Sequence, residues 1–338
     1  MKTGWRHLEA ARSGRGAPGK PWVWRTFLAM ATWLVAASAM AQGSQQPITM
    51  VVGFSPGGGV DTVARMIAQE LAPVLKRTIL VENRPGAGGT IAADSVARAA
   101  PDGSTLLFAE SSLLIAPHVF PKVSYDVARN FKPIGMVAQA GLAVAVAGNS
   151  PFRTLQELLD EARAKPGSLS YASAGVGSQH HLSGEWLKNA AGVNMVHVPY
   201  RGGTQAVQDL ASGQIPVAIA SVAAAAPHVP SGRIRILAVL TDKRFASLPD
   251  VPTVSETLPG LVSTPSMFLV APAGTPDAII RSISQALPDI LRKPEIVKAL
   301  EIQGSEPRYM DGAELGRWMR DEEQRWVDVI RAANLKFD

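Results

Sequence analysis

The sequence predicts an α/β protein of two lobes, each a mostly parallel sheet flanked by helices. Three observations carry that expectation. The chain has 338 residues, enough for about two domains of ordinary size. Short apolar, strand-like runs alternate with runs of helical periodicity almost throughout, the pattern of a largely parallel sheet covered on both faces. Two glycine- and serine-rich loops, Phe54-Ser55-Pro56-Gly57-Gly58-Gly59 and Ser173-Ala174-Gly175-Val176-Gly177-Ser178, each stand between a strand-like and a helix-like run in separate halves of the chain.

Taken in order, residues 48–53 read as a strand and 61–75 as a helix with apolar residues at helical spacing. Residues 78–82 are the next strand, Asn83-Arg84-Pro85-Gly86 a turn, and 90–99 a small-residue helix. Pro101-Asp102-Gly103 breaks the chain before a strand at 105–109. Residues 134–137 and 142–147 are apolar with one glycine between them, and read as a crossing to the second lobe. Helix 155–164, strand 169–172, helix 179–190, strand 195–198, helix 204–211 and strands 216–220 and 234–240 make up that lobe. The return is expected near 241–244 or at the apolar run 267–271. Segments 276–291 and 313–332 read as closing helices, the latter with Leu315, Trp318 and Met319 on one stripe and Glu322 and Arg325 outside it. The domain reading is a leader at 1–41, a discontinuous first lobe at 42–142 and 245–338, and a second lobe at 143–244.

The formal net charge of +5 sits in the leader: Lys2, Arg6, Arg12, Arg15, Lys20 and Arg25 are opposed there only by Glu9, which leaves about zero for the rest. A nucleic-acid partner loses its support, because it needs basic charge clustered on the folded domain. A basic start, an apolar stretch at 27–37 and the small-x-small Ala39-Met40-Ala41 read as a secretory signal peptide cleaved after Ala41, which places the mature chain in the periplasm. No later segment is long and apolar enough to span a bilayer. There is no cysteine, which removes thiol nucleophiles, thiolate metal sites and iron–sulfur clusters.

A strand–glycine loop–helix unit presents backbone N–H groups at a helix N-terminus and binds anions without a metal. Two such loops in separate lobes point to one small anion gripped between them. The candidate contacts are Phe54, Ser55, Pro56, Gly57 and Gly58 in the first loop and Ser173, Ala174, Gly175, Gly177 and Ser178 in the second. Ser111 and Ser112 follow a strand at its C-terminal end, where open α/β sheets bind ligands. Asp61 reads as a first-turn acid favouring the helix dipole rather than a contact. Arg201 reads equally as a carboxylate partner or a structural cation. His180 and His181 are adjacent and do not share a helix face, so no metal is expected, and His181 reads as a hydrogen-bonded brace for the loop. Gly175-Val176-Gly177 lacks the third glycine of a dinucleotide fingerprint, since His180 stands there. Gly177-Ser178-Gln179 lacks the flanking glycines of a nucleophile elbow. A secreted hydrolase using Ser178 and His181 is the remaining enzyme reading, and no enzyme is expected.

Linked motifs run through nearly the whole mature chain. They include Phe54-Ser55-Pro56-Gly57-Gly58 with Asp61 and Arg65, Val81-Glu82-Asn83-Arg84-Pro85-Gly86, Tyr171-Ala172-Ser173-Ala174-Gly175, His197-Val198-Pro199-Tyr200-Arg201-Gly202-Gly203, Leu248-Pro249-Asp250-Val251-Pro252-Thr253 and Ala271-Pro272-Ala273-Gly274-Thr275-Pro276. In these the chain resembles the extracytoplasmic receptors of tripartite tricarboxylate transporters, the Bug family of solute-binding proteins. The resemblance implies a Venus-flytrap periplasmic binding protein of type II that holds a small organic acid between its lobes, needs no cofactor, and acts as a monomer. Its expected partners are membrane permease subunits, or a sensor kinase if the role is sensory. Two departures bear on the ligand. Pro216 follows Ile215 where many members carry an aspartate. The stretch after Ala220, including the candidate contact Ser221, has no acid where amine-binding members often place one, so a ligand without a positive amine is expected.

Overall fold

The computed structural model describes residues 46–335 apart from Arg201 and Ala246, so the expected leader, its cleavage site and the Arg201 candidate lie outside the described residues. In chain order the strands are β1 (Ile48–Val52), β2 (Ile79–Asn83), β3 (Thr105–Glu110), β4 (Phe131–Ala140), β5 (Leu142–Ala147), β6 (Ser170–Ser173), β7 (Val196–Pro199), β8 (Val217–Ser221), β9 (Ile234–Val239), β10 (Ser266–Pro272) and β11 (Ser305–Asp311). They form two sheets, ordered β11-β4-β10-β3-β1-β2 and β7-β6-β8-β5-β9.

Both sheets are mixed, which corrects the expectation of mostly parallel ones. Parallel pairing holds β1 to β2 and β3, and β6 to β7 and β8. Strands β4, β10 and β11 pair antiparallel, as does β5 with β8 and β9. The cause is the crossing. Strand β4 runs out of the first lobe, β10 runs back into it, and chains passing one point in opposite directions must lie antiparallel. The same holds for β5 and β9 in the second lobe.

Apolar side chains close both faces of each sheet. Helix Gly59–Leu75 buries Val63, Ala64, Ile67, Ala68 and Leu71, one stripe at helical spacing, and packs with Met50 and Val52 of β1 and Ile283 and Leu287 of helix Asp277–Leu291. In the second lobe, Leu155, Leu158, Leu159 and Ala162 of helix Leu155–Ala164 do the same against Val144, Val146 and Ile219.

The two crossings lie side by side. Gly141, between β4 and β5, donates its N–H to Gly304 O (3.0 Å) and accepts from Val222 N–H (2.8 Å). A side chain there would stand 2.6 Å from Phe245 and 2.7 Å from Val222, so only glycine fits. On the return, Leu240 N–H donates to Leu142 O and Ser263 N–H to Leu240 O (both 2.8 Å). Leu248, Val251, Val254, Leu258 and Leu261 pack with the core of the second sheet. The chain therefore re-enters the first sheet at Ser266, at the second of the two expected points of return, because residues 248–261 carry their apolar groups against the second sheet without strand or long-helix periodicity.

The C-terminal helix Gly312–Ala332 starts on a capping box between Asp311 and Glu314. Its Leu315 and Met319 pack on the first sheet as expected. Glu322 is buried rather than outside the stripe, and accepts from Trp326 Nε1 (3.0 Å) and Arg325 (2.7 Å). The reason is a second face. Trp326 and Val329 join Ile115 and Val119 of helix Ser112–Val119 and Leu182 of helix Gln179–Ala191 in one apolar cluster that spans both lobes.

Candidate functional site

The first glycine loop leaves β1 at the C-terminal end of its strand and enters helix Gly59–Leu75. Its conformation is set by Asp61, which is 2% exposed. Asp61 Oδ2 accepts from Gly57 N–H (2.8 Å) and Arg65 Nε (3.0 Å), and Oδ1 accepts from Asn83 Nδ2 (2.7 Å). Asn83 Nδ2 also donates to Phe54 O (3.0 Å). Burial pushes the Asp61 carboxyl up, but the hydrogen bonds from Arg65, Gly57 and Asn83 outweigh it and hold the group below its ordinary value. Gly57 has φ +79°, a conformation that favours glycine. Phe54 is half-buried, and Ser55, Pro56, Gly57 and Gly58 are exposed.

The second loop, between β6 and helix Gln179–Ala191, is built on neutral groups. Gly175 N–H donates to Ser173 Oγ (3.1 Å), and Gly177 N–H donates to His181 Nδ1 (3.2 Å). Ser178 caps the helix, its Oγ accepting from His181 N–H (3.2 Å) and donating to Gly175 O (2.7 Å). Ser173 Oγ lies 2.7 Å from His197 Nε2, and the His181 and His197 rings stack at 3.8 Å. Beneath them Tyr171 donates to Glu185 (2.7 Å), which also takes Lys188. Burial lowers His181, and burial with the adjacent His181 ring brings His197 down to about 4. Both imidazoles are therefore neutral at pH 7, as the Gly177 N–H bond to Nδ1 requires.

The expectation that these loops bare their N–H groups holds only in part. Gly57 and Gly58 donate to Asp61 and to Ser55 O, Gly175 and Ser178 donate within their own loop, and Gly177 donates to His181 Nδ1 of the following helix. Among the described residues, the N–H groups of Ser55 and Gly59 on one side, and of Ala174 and Val176 on the other, have no protein acceptor. Ser111 is fully buried, and its Oγ accepts from Ser266 N–H (2.9 Å), tying β3 to β10. Ser112 opens helix Ser112–Val119 with its N–H on Glu110 Oε2 (3.1 Å). Ser221 caps the single turn Val222–Ala225 through Ala224 N–H (3.3 Å).

The second loop and the turn after β2 meet at one aromatic ring. A side chain on Gly177 would stand 2.3 Å from Val119 and 3.7 Å from Phe120, and one on Gly88 would stand 3.1 Å from Phe120. Deeper in the fold, Gln179 Nε2 donates to Ser263 Oγ (3.1 Å), and Ser183 Oγ lies 2.6 Å from the same atom, so the second loop's helix is tied to the return crossing. Beside the first loop is a small pocket lined by Gly53, Phe54, Gly88, Gly89, Glu110 and Ser112. Gly53, Gly88, Gly89 and Glu110 are absent from the sequence-based candidates. The close approach of Gly53 to Gly89 (2.8 Å from a Cβ position) depends on β1–β2 pairing, which no local pattern announces. Among the described residues no cluster of His, Cys, Asp and Glu could hold a metal, and no helix is long and apolar enough to cross a membrane.

Comparison with known proteins gives one answer. The sequence profile of the tripartite tricarboxylate transporter family receptor matches residues 63–335. The chain is similar to protein BugT of Bordetella pertussis, 34% identical over 297 residues that cover 86% of this chain and 90% of that one. Among solved structures it is similar to R. palustris Rpa4515 with adipate, at 31% identity and TM-score 0.77, covering 85% of this chain and 97% of that one. It is also similar to MatC of Rhodopseudomonas palustris with bound malate, at 32% identity and TM-score 0.73, covering 84% and 98%.

Proposed function

Since the chain belongs to the tripartite tricarboxylate transporter receptor family, a family of solute receptors and not of enzymes, we propose that it captures a small carboxylate between its lobes in the periplasm and hands it to membrane permease subunits. The observation that carries this reading is the close approach of the second lobe's loop, at Gly177, to Val119 and Phe120, the latter also beside Gly88 of the pocket that Phe54 lines. The uncommitted N–H groups of Ser55, Gly59, Ala174 and Val176 would receive carboxylate oxygens directly or through water. Hydrogen bonds to a charged group contribute about 1.5–3 kcal/mol each, so four of them support micromolar binding, about −8 kcal/mol, after ordering costs. Adipate in one relative and malate in another support a small carboxylate as the ligand.

The lobes would close as rigid bodies about Gly141 and the segment 240–265, ligand contacts from both sides stabilising the closed form. Thermal shift of the purified protein against mono-, di- and tricarboxylates tests the reading, with native mass spectrometry of whatever copurifies. A stabilising carboxylate, or one released intact on denaturation, is the expected result. Silence across the panel, with a copurified ligand of another class, would overturn it.

A further inference from the structure

The small pocket beside the first loop contains an acid that the sequence did not mark. Glu110 ends β3, beside the loop that follows the parallel strand β1, and lines the same small pocket as Phe54, Gly88 and Gly89. Ser112 supplies its polar contacts: the N–H donates to Oε2 (3.1 Å). No lysine, arginine or histidine among the described residues forms an ion pair with it. Among the described residues the buried carboxylates each have such a partner, Asp61 with Arg65, Glu185 with Lys188 and Glu322 with Arg325, whereas the half-buried Glu110 has none. A half-buried carboxylate that meets a cation only when the site is filled discriminates between ligands.

We propose that Glu110 is a specificity-determining residue that receives the ammonium of an amino-substituted carboxylate, whose carboxylate end takes the free loop N–H groups. This rests on the reading above that a carboxylate is captured in this cleft. It replaces the expectation of an amine-free ligand, which rested on the missing acid in the stretch after Ala220. The acid is present, on a strand end of the other lobe. A plain dicarboxylate would set a second anion against Glu110, whereas an ammonium cancels its charge and takes an oxygen that Ser112 N–H does not use. Burial raises the Glu110 carboxyl, with the Ser112 hydrogen bonds only partly offsetting it, as expected for a group whose counter-charge arrives with the ligand.

Isothermal titration of the wild-type protein and of Glu110→Gln tests the assignment with matched pairs: aspartate and succinate, glutamate and glutarate, β-alanine and propionate. Glutamine keeps an oxygen for Ser112 N–H, and an unchanged melting curve confirms folding. The expected result is that the amine-bearing member of at least one pair binds the wild type tenfold or more tightly than its partner, and that the ratio falls at least tenfold in Glu110→Gln. Deaminated members that bind as well or better in every pair, or a ratio that survives the substitution, would overturn the assignment. Adipate and malate separate the two levels. If they bind while no amine-bearing compound does, the assignment falls and carboxylate capture stands; if nothing binds, both fall.

Discussion

The two glycine loops share a local design and differ in what holds them. In the first lobe a buried, ionised aspartate gathers Gly57 N–H, Arg65 and Asn83. In the second, a serine and two stacked neutral imidazoles do the work. The loops present similar backbone turns, so the difference shows that turn geometry does not depend on one kind of brace. It also gives the lobes different weak points: steric in the second, where Gly177 is pressed against Val119, and electrostatic in the first.

The largest effect should come from Gly177→Ala. The new methyl group would overlap Val119 across the cleft at a residue with φ +74°, combining overpacking of about 1–3 kcal/mol with left-handed strain of about 1–2 kcal/mol. Ligand affinity should fall with the melting temperature. Retention of both would mean that the lobes do not need this contact.

Asp61→Ala ranks next. It strands Gly57 N–H and Asn83 and removes the partner of Arg65, and leaving such groups unsatisfied costs about 1–3 kcal/mol. Hydrogen exchange should quicken around 54–61 and not around 173–181. Equal quickening in both would show that the loops are coupled rather than separately braced.

Acid should separate them further. His197 is depressed from 6.5 to about 4 in the fold, so its neutral form stabilises the second loop fully above pH 6.5, and this is lost as pH falls toward 4. Asp61 is held below its ordinary value, so its contribution persists above about pH 4 and disappears only below it. A histidine NMR titration should find His197 titrating near pH 4. Between pH 6 and 4.5 the second loop should loosen while the first keeps its protection. An ordinary midpoint for His197 would remove the contrast. The smallest change is Ser221→Ala, the loss of a cap on a single turn, at about 0.5–2 kcal/mol; a fall in ligand affinity beyond that in stability would mark Ser221 as a contact.

Much of the fold was legible because its signals are local. Helix Leu155–Ala164 was read to the residue, since Thr154 can cap it, its apolar positions repeat at helical spacing, and Pro166-Gly167 stops it. Strand β11 was missed: Ser305–Asp311 is polar, contains Pro307 and is paired on one side only, by β4, so neither alternation nor apolar content announced it. Helix Ser112–Val119 was missed for the opposite reason. It is apolar nearly all round with Pro117 inside, because it is buried on most sides, and such a run has no stripe to read.

At the site, the loops were visible as glycine and serine patterns, and the proposal that they act as anion turns rests on backbone chemistry within six residues. Which N–H groups remain free was not visible, because Asp61, His181 and Ser173 compete for them through side-chain positions that only folding defines.

By itself, then, the sequence determined the alternation of elements, the two strand–loop–helix units and their placement in different lobes, since turn chemistry and periodicity act over a few residues. Tertiary structure decided the antiparallel return of β10, the burial of Glu322 between the lobes, and the presence of Glu110 beside Phe54. Each depends on segments far apart in sequence being packed together, and a residue's charge or polarity does not reveal which distant surface will remove it from water.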